Sequence, residues 1–265
     1  MNAMERKMVE LLKEMKETYH AVGVKTEFEG EGIRLDDLMR QKEITMAAGL
    51  PIALKIGGGE AITDLSLART VGVGKIIAPM LEPPFAVRKF VEAAYKVYTE
   101  DELQDTKLVV NFETIHAYRC YQDVVSAPEF SKLSGIAMGR KDLTLSMGLP
   151  RSEMDSTQVS DVCRGFMQMT KGAAPNMTCT IGGIKDGEQS LDVLRAFGSL
   201  LDSYETRKVI FSAEALAHDP LTGLKKGLEF EILYYENKKA YYKGIANSDN
   251  NYLERLYKKY QSFKK

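Results

Sequence analysis

Three histidines and three cysteines are all that 265 residues contain of the side chains most used for nucleophilic and transition-metal chemistry. Cys120, Cys163 and Cys179 are odd in number and lack metal-type spacing, and a chain this long needs no bridge to hold its core. Reduced thiols in a cytoplasmic protein are therefore expected. Long apolar runs are missing as well. The opening MNAMERKMVELLKEMKETYH is amphipathic and charged, so neither a signal peptide nor a membrane anchor is expected there. Neither sign of charge dominates: a formal net charge of −1 with 28% charged residues describes a mixed, solvated surface and gives no reason to expect nucleic acid as a partner. The lysine-rich YKKYQSFKK fits the preference of helix carboxyl ends for cations. Nucleotide fingerprints are absent too, since IGGGEA lacks the G-x-G-x-x-G spacing and no GK precedes Ser or Thr.

What is present is alternation. Apolar or alternating runs in AVGVKTEFEGEG, PIALKIGGG, KIIAPML, KLVVNF, SGIAMGRK, MTCTIGG, RKVIFSAEA and LEFEILYY are separated by segments of helical period, such as Arg34 to Gly49 and Phe85 to Val97. Strands and helices alternating at this pace predict an α/β protein with a parallel sheet, and eight units close most naturally into a (β/α)₈ TIM barrel. With 44% hydrophobic residues, residues 1–265 form one domain of the usual barrel size. A doubly wound open sheet is the alternative, without a nucleotide fingerprint to favour it. LEFEILYY can also be read as half of a hairpin with AYYKGIA across ENKK. Ser190 to Tyr204 reads as a helix and LTLSMGLPRSEMDST as a long loop over the rim. Met8, Leu11, Leu12 and Met15 give an extra opening helix an apolar face, which covers the barrel bottom or meets a partner subunit. A Tyr- and Lys-rich helix from about Asn250 to Tyr260 closes the chain, and the two terminal helices together predict a homo-oligomer.

The chemistry concentrates between Lys107 and Gly148. LVVNF closes on Glu113 and SGIAMGRK on Asp142, with a helix-like segment from about Thr114 to Leu133 between them. Parallel strands place both acids on one rim, where two hard anionic oxygens can seat Mg²⁺ or Mn²⁺ and leave positions for substrate and water. Taken singly, each carboxylate is equally readable as a helix N-cap or a surface charge. Lys25, Glu27 and Glu29 share one face of the first strand, and an inward charged row is costly unless it meets a ligand or counter-ion. Glu27 and Glu29 are thus site candidates, with a solvent-facing row as the alternative. Lys55 ends the second strand before a glycine run in which Gly57 and Gly58 let backbone approach a ligand. Of the histidines, His20 precedes the first strand; His218, after the seventh, is the first candidate for a catalytic base, and His116 the second.

ETIHAY followed by GRKDLTLSMG, with Asp142 lying 29 residues after Glu113, is similar to the HpcH/HpaI aldolase and citrate lyase beta-subunit family. KIGGGEAITDL, KIIAPMLEPP and TIGGI fall at other strand ends of that pattern, so the resemblance runs from about Val24 to Glu214. It implies a phosphoenolpyruvate/pyruvate-type TIM barrel in which Glu113 and Asp142 hold Mg²⁺ or Mn²⁺. It also implies that Glu82 supports the site, that Gly139 and Arg140 bind substrate with the Asp142 segment, and that the last helix is exchanged between subunits. Lys55 stands where the family commonly presents an arginine to the 2-oxo acid; a lysine offers a point charge in place of a planar fork. The implied activity is a class II type aldolase, a carbon–carbon lyase that acts on a 2-oxo acid through a metal-stabilised enolate. Alternatives are a citrate-lyase-like enzyme acting on an acyl thioester, imine chemistry on Lys55, and a barrel retained as a binding or accessory protein.

Overall fold

The computed structural model describes residues 1–184 and 187–262. Eight strands form a closed barrel in sequence order: β1 Ala21–Glu27, β2 Ile52–Lys55, β3 Lys75–Ala78, β4 Lys107–Asn111, β5 Gly135–Gly139, β6 Thr178–Gly182, β7 Ser203–Glu205 and β8 Val209–Ser212. Inward-pointing Ala53, Ile77, Val109, Ala137 and Ile210 meet as a small buried layer. The other strand face packs on the helices, whose buried residues recur every three or four positions, as Val87, Phe90, Val91 and Ala94 do in Pro84–Val97. Helix ends follow local chemistry: Asn2 and Glu5 make a capping box for the opening helix Ala3–Tyr19, and Gly49 and Gly72 close Leu35–Ala48 and Ile62–Val71 with positive φ.

β1 to β7 are parallel, but β8 runs antiparallel to both β7 and β1. The expected seventh strand, RKVIFSAEA, therefore supplies the reversed eighth, and β7 is the short Ser203–Glu205 inside what read as a helix ending at Tyr204. That helix is Glu188–Arg195, and a 3₁₀ turn at Gly198–Leu200 breaks its period. A tight hairpin joins the two strands: Thr206 accepts the Val209 N–H on its hydroxyl at 3.0 Å and donates its own N–H to the Val209 carbonyl at 2.9 Å. LEFEILYY is not a strand. It lies inside one helix, Pro220–Ser262, that also takes in AYYKGIA and the expected last helix. Its buried positions include Leu224, Phe230, Leu233, Tyr234 and Asn237, most of them three or four apart. The anticipated rim loop likewise starts inside the helix Arg140–Ser146 and contains a 3₁₀ turn, Arg151–Asp155.

The opening helix does not cover the barrel bottom. It lies antiparallel along the closing helix on the barrel wall, joined by Lys226–Glu14 at 2.8 Å, Lys7–Glu229 at 3.2 Å and Asn2–Asn237 at 2.7 Å. The closing helix thus climbs to the carboxyl rim of the parallel strands and passes it. Beyond Tyr242, which donates to Asp37 at 3.0 Å, its side chains Ile245, Tyr252, Leu253, Leu256 and Tyr257 are exposed. Among the described residues no helix is long and apolar enough to cross a membrane.

Candidate active site at the carboxyl rim

The carboxyl ends of the parallel strands surround a cavity of about 530 Å³. Glu27 ends β1, Lys55 ends β2, Glu113 follows β4 by two residues, and Asp142 sits in the first turn of the helix that leaves β5; all four line the cavity. Alternation along β4 and the Phe112 N–H bond to the Ala137 carbonyl, 2.9 Å, turn Glu113 inward beside Asn111, which donates to its carboxylate at 3.2 Å. Gly139 is required for this placement, because a Cβ there would lie 2.1 Å from Glu113 Oε2. Glu113 is only 3% exposed. Burial raises its carboxyl above the usual range, and the charge of Asp142 adds to the rise against the pull of Lys55. A cation shared by Glu113 and Asp142 would relieve that repulsion.

Lys55 bridges Glu113 at 3.4 Å and Glu29 at 3.3 Å. Its burial opposes the charge, yet Glu113 and Glu29 outweigh it and hold the ammonium above the ordinary lysine range. A lysine kept charged is a poor nucleophile, which weighs against the imine route. Lys25, also lining the cavity, lies 2.5 Å from Glu205 and 3.1 Å from Glu27. Here too the two acids overcome desolvation and raise its protonation.

Other expected residues are placed elsewhere. His218 stacks on His20 with ring centroids 4.6 Å apart, at the opposite end of the barrel. Reversal of β8 carries the chain down to that end before His218 is reached, so the expected catalytic base does not face the cavity. His116 is exposed in the helix Ile115–Arg119 and does not line the cavity. Arg140 is 0% exposed and clamps the loops, donating to Asp155 at 2.8 Å, the Gly183 carbonyl at 2.8 Å and Ser190 at 3.0 Å; its expected substrate contact is replaced by this structural role. Gly57 and Gly58 form a turn outside the cavity lining, where the Gly57 N–H donates to Asp64 at 2.7 Å. Glu82 accepts from the Thr114 hydroxyl next to Glu113, one step removed from the cavity. Sequence reasoning missed Asn111, Lys25 and Glu205. The first two were within reach, because each alternates in phase with an acid that was singled out.

Glu113 and Asp142 suit a divalent ion chemically: both present hard oxygens, their mutual repulsion asks for a cation, and the buried Asn111 Oδ1 beside them has no hydrogen-bond partner among the described residues. Among the described residues no group of three His, Cys, Asp or Glu is set to hold a metal. Two carboxylates with water and substrate completing the shell is a familiar arrangement for Mg²⁺.

No family model matches the sequence, and no curated protein matches it either. Solved structures do match. An HpcH/HpaI aldolase/citrate lyase family protein from Burkholderia cenocepacia J2315 aligns over 85% of this chain and 89% of its own, with TM-score 0.58 and 16% identity. An HpcH/HpaI aldolase from Desulfitobacterium hafniense DCB-2 aligns over 84% and 88%, with TM-score 0.62 and 10% identity. The fold is that of the HpcH/HpaI aldolase and citrate lyase proteins. The citrate synthase SbnG has it too, covering 88% of this chain and 90% of its own at TM-score 0.60 and 14% identity. At these identities the HpcH/HpaI likeness is one of architecture, and the chemistry has to be argued from the side chains.

Proposed function

We propose that this chain is a divalent-metal-dependent carbon–carbon lyase of the HpcH/HpaI kind, acting on a 2-oxo acid through its enolate. The observation that carries the reading is the buried Glu113 carboxyl, raised by burial and by Asp142, at the carboxyl rim of a barrel with HpcH/HpaI architecture. Glu113 and Asp142 would hold Mg²⁺ or Mn²⁺, and Asn111 orients Glu113 through its amide. When bound, such an ion supplies a Lewis acid for the keto oxygen, which stabilises the enolate. Lys55 places a positive charge at the edge of the same carboxylate, where the acid group of the substrate docks. The glycines Gly139 and Gly182 leave the cavity floor open at the strand ends, so a small oxo acid can approach the backbone.

The test is exchange of the pyruvate methyl protons for deuterium, followed by NMR with the wild type in Mg²⁺, in Mn²⁺ and after chelation. It needs no knowledge of the aldol acceptor. Exchange that depends on the ion and is lost in Glu113→Gln supports the reading; wild-type protein with Mn²⁺ bound and no exchange above the buffer rate overturns it.

A further inference from the structure

Proton transfer has no histidine to perform it at this rim, since His20 and His218 stack at the far end and His116 is exposed outside the cavity. One buried acid there has a free oxygen. Glu205, 5% exposed, ends β7 and lines the cavity; Lys25 donates to its Oε1 at 2.5 Å, while Oε2 has no hydrogen-bond partner among the described residues. An unpaired buried carboxylate oxygen costs free energy unless it meets a donor. Among the described residues Lys25 is the donor to this carboxylate, through Oε1, and a hydroxyl of a ligand in the cavity would satisfy Oε2.

The sheet register places Glu205 with respect to the metal-type pair. Gly139 pairs with Gly182 and Gly182 with Glu205, while Asn111 pairs with Ala137, which puts Glu113 level with Gly139. Two acids therefore stand at the ends of a floor made of two glycines. A Cβ on Gly182 would come within 3.0 Å of Glu205 Oε1, just as one on Gly139 would strike Glu113. Glu205 is not within reach of a joint metal shell with Glu113 and Asp142, because no trio of such ligands exists among the described residues. It faces the same space from across the gap.

Resting on the lyase reading above, we infer that Glu205 is the proton-transfer residue of this site. In cleavage of an aldol adduct its carboxylate takes the proton of the adduct hydroxyl as the carbon–carbon bond breaks. The oxygen keeps the O–H pair and forms the aldehyde carbonyl, and the pair from the broken bond passes to the oxo-acid fragment as its enolate. Glu205 then returns the same proton to that carbon, giving the methyl group of pyruvate. Protons and electrons balance without a further reactant. Lys25 orients the carboxylate and is itself shared with Glu27, so one ammonium faces two acids and the trio keeps an excess negative charge, as a base requires. Lys75 on β3 interacts with Glu205 through space, and Arg207 on its own hairpin and Glu231 on the closing helix line the same cavity.

Methyl-proton exchange by Glu205→Gln tests this, together with Mn²⁺ affinity read from the spin-resonance signal of the free ion. Exchange is expected to fall by about 100-fold or more, the usual contribution of a positioned base. Mn²⁺ affinity and the Michaelis constant for pyruvate should stay within about threefold of the wild type, and formate should restore part of the exchange in Glu205→Ala. If the Gln and Ala variants do not fold, Glu205→Asp, which keeps the charge facing Lys25, is expected to fold and to exchange at least tenfold more slowly. Exchange at the wild-type rate in Glu205→Gln or in Glu205→Asp overturns the inference and leaves the lyase reading intact. Loss of Mn²⁺ binding equal to that of Glu113→Gln overturns it in favour of a ligand role. A metal-loaded wild type without exchange removes the lyase reading and this inference together.

Discussion

Gly139→Ala adds one methyl group beneath the Glu113 carboxylate and leaves every charge of the site in place. The new carbon would stand 2.1 Å from Glu113 Oε2 and 3.2 Å from both its Cβ and Cδ. Restoring an ordinary contact near 3.4 Å needs a retreat of about 1.3 Å by the oxygen, and the close Cβ prevents the side chain from merely swinging its tip aside. Metal shells tolerate deviations of only about 0.2 Å. Mn²⁺ affinity should therefore drop by about 10- to 100-fold, or about 1.4 to 2.8 kcal/mol, as when the support of a ligand is disturbed. The fold should lose about 1 to 3 kcal/mol from overpacking. Gly172→Ala, in the helix Thr157–Ala173 with nothing within 4 Å of the added carbon, serves as the control and should bind Mn²⁺ as the wild type does. Titration against the free-ion resonance signal, with thermal unfolding in chelator beside it, measures both effects. Folded Gly139→Ala with wild-type Mn²⁺ affinity would show that Glu113 is not a ligand, or that the carboxylate is not where the barrel places it.

Lys55→Met should raise the Michaelis constant for pyruvate more than it lowers turnover, since Lys55 meets the acid end of the substrate throughout; a borohydride-trapped imine on the wild type would refute that role. Lys75 lines a second cavity, of about 590 Å³, at the amino end of the barrel, and burial lowers its amine below the ordinary lysine range. Its neutral form is thus available at lower pH than that of an ordinary lysine, so the acetylation of Lys75 by acetic anhydride should reach its plateau at lower pH than that of a free lysine side chain in a model peptide, and a profile equal to the peptide's by mass spectrometry would contradict this. We expect a homo-oligomer in which the exposed end of the closing helix, with Tyr252, Leu253, Leu256 and Tyr257, packs on another copy; a monomer in light scattering at micromolar concentration would refute it.

The barrel was legible because six of its strands are apolar runs between periodic helices, and the acid pair because each acid closes such a run. The last quarter was not. A three-residue strand such as Ser203–Glu205 has no period to detect, and Leu191, Leu194, Phe197, Leu200 and Leu201 continue a helical pattern up to its edge. LEFEILYY alternates over a few residues by accident of its acids, whereas its burial follows Phe230, Leu233, Tyr234 and Asn237 around a helix. Misplacing β7 hid Glu205, and placing a parallel strand over RKVIFSAEA sent His218 to the wrong rim. Arg140 failed for a different reason: the sequence marks its neighbourhood correctly, but rotation about the helix start turns it away from the cavity toward Asp155.

The charges around the cavity set an order of events. Lys25, Lys55, Lys141, Arg151 and Arg207 face Glu27, Glu29, Glu113, Asp142, Glu205 and Glu231 among the described lining residues, a formal balance of −1. Both buried ammonium groups are already shared, Lys25 between Glu27 and Glu205 and Lys55 between Glu29 and Glu113, so neither offers an unopposed charge to an incoming acid. A cavity in this state repels an oxo acid; a divalent ion between Glu113 and Asp142 turns the balance to +1 and frees Lys55 from part of its hold on Glu113. The ion should therefore bind first and the acid second. Oxalate, a flat dianion resembling the pyruvate enolate, should bind in calorimetry only after Mn²⁺ is added, and it should strengthen Mn²⁺ binding by the same factor in return. Equal oxalate affinity with Mn²⁺ and in chelator would refute this order. It would mean that Lys55 recognises the acid without help from the ion.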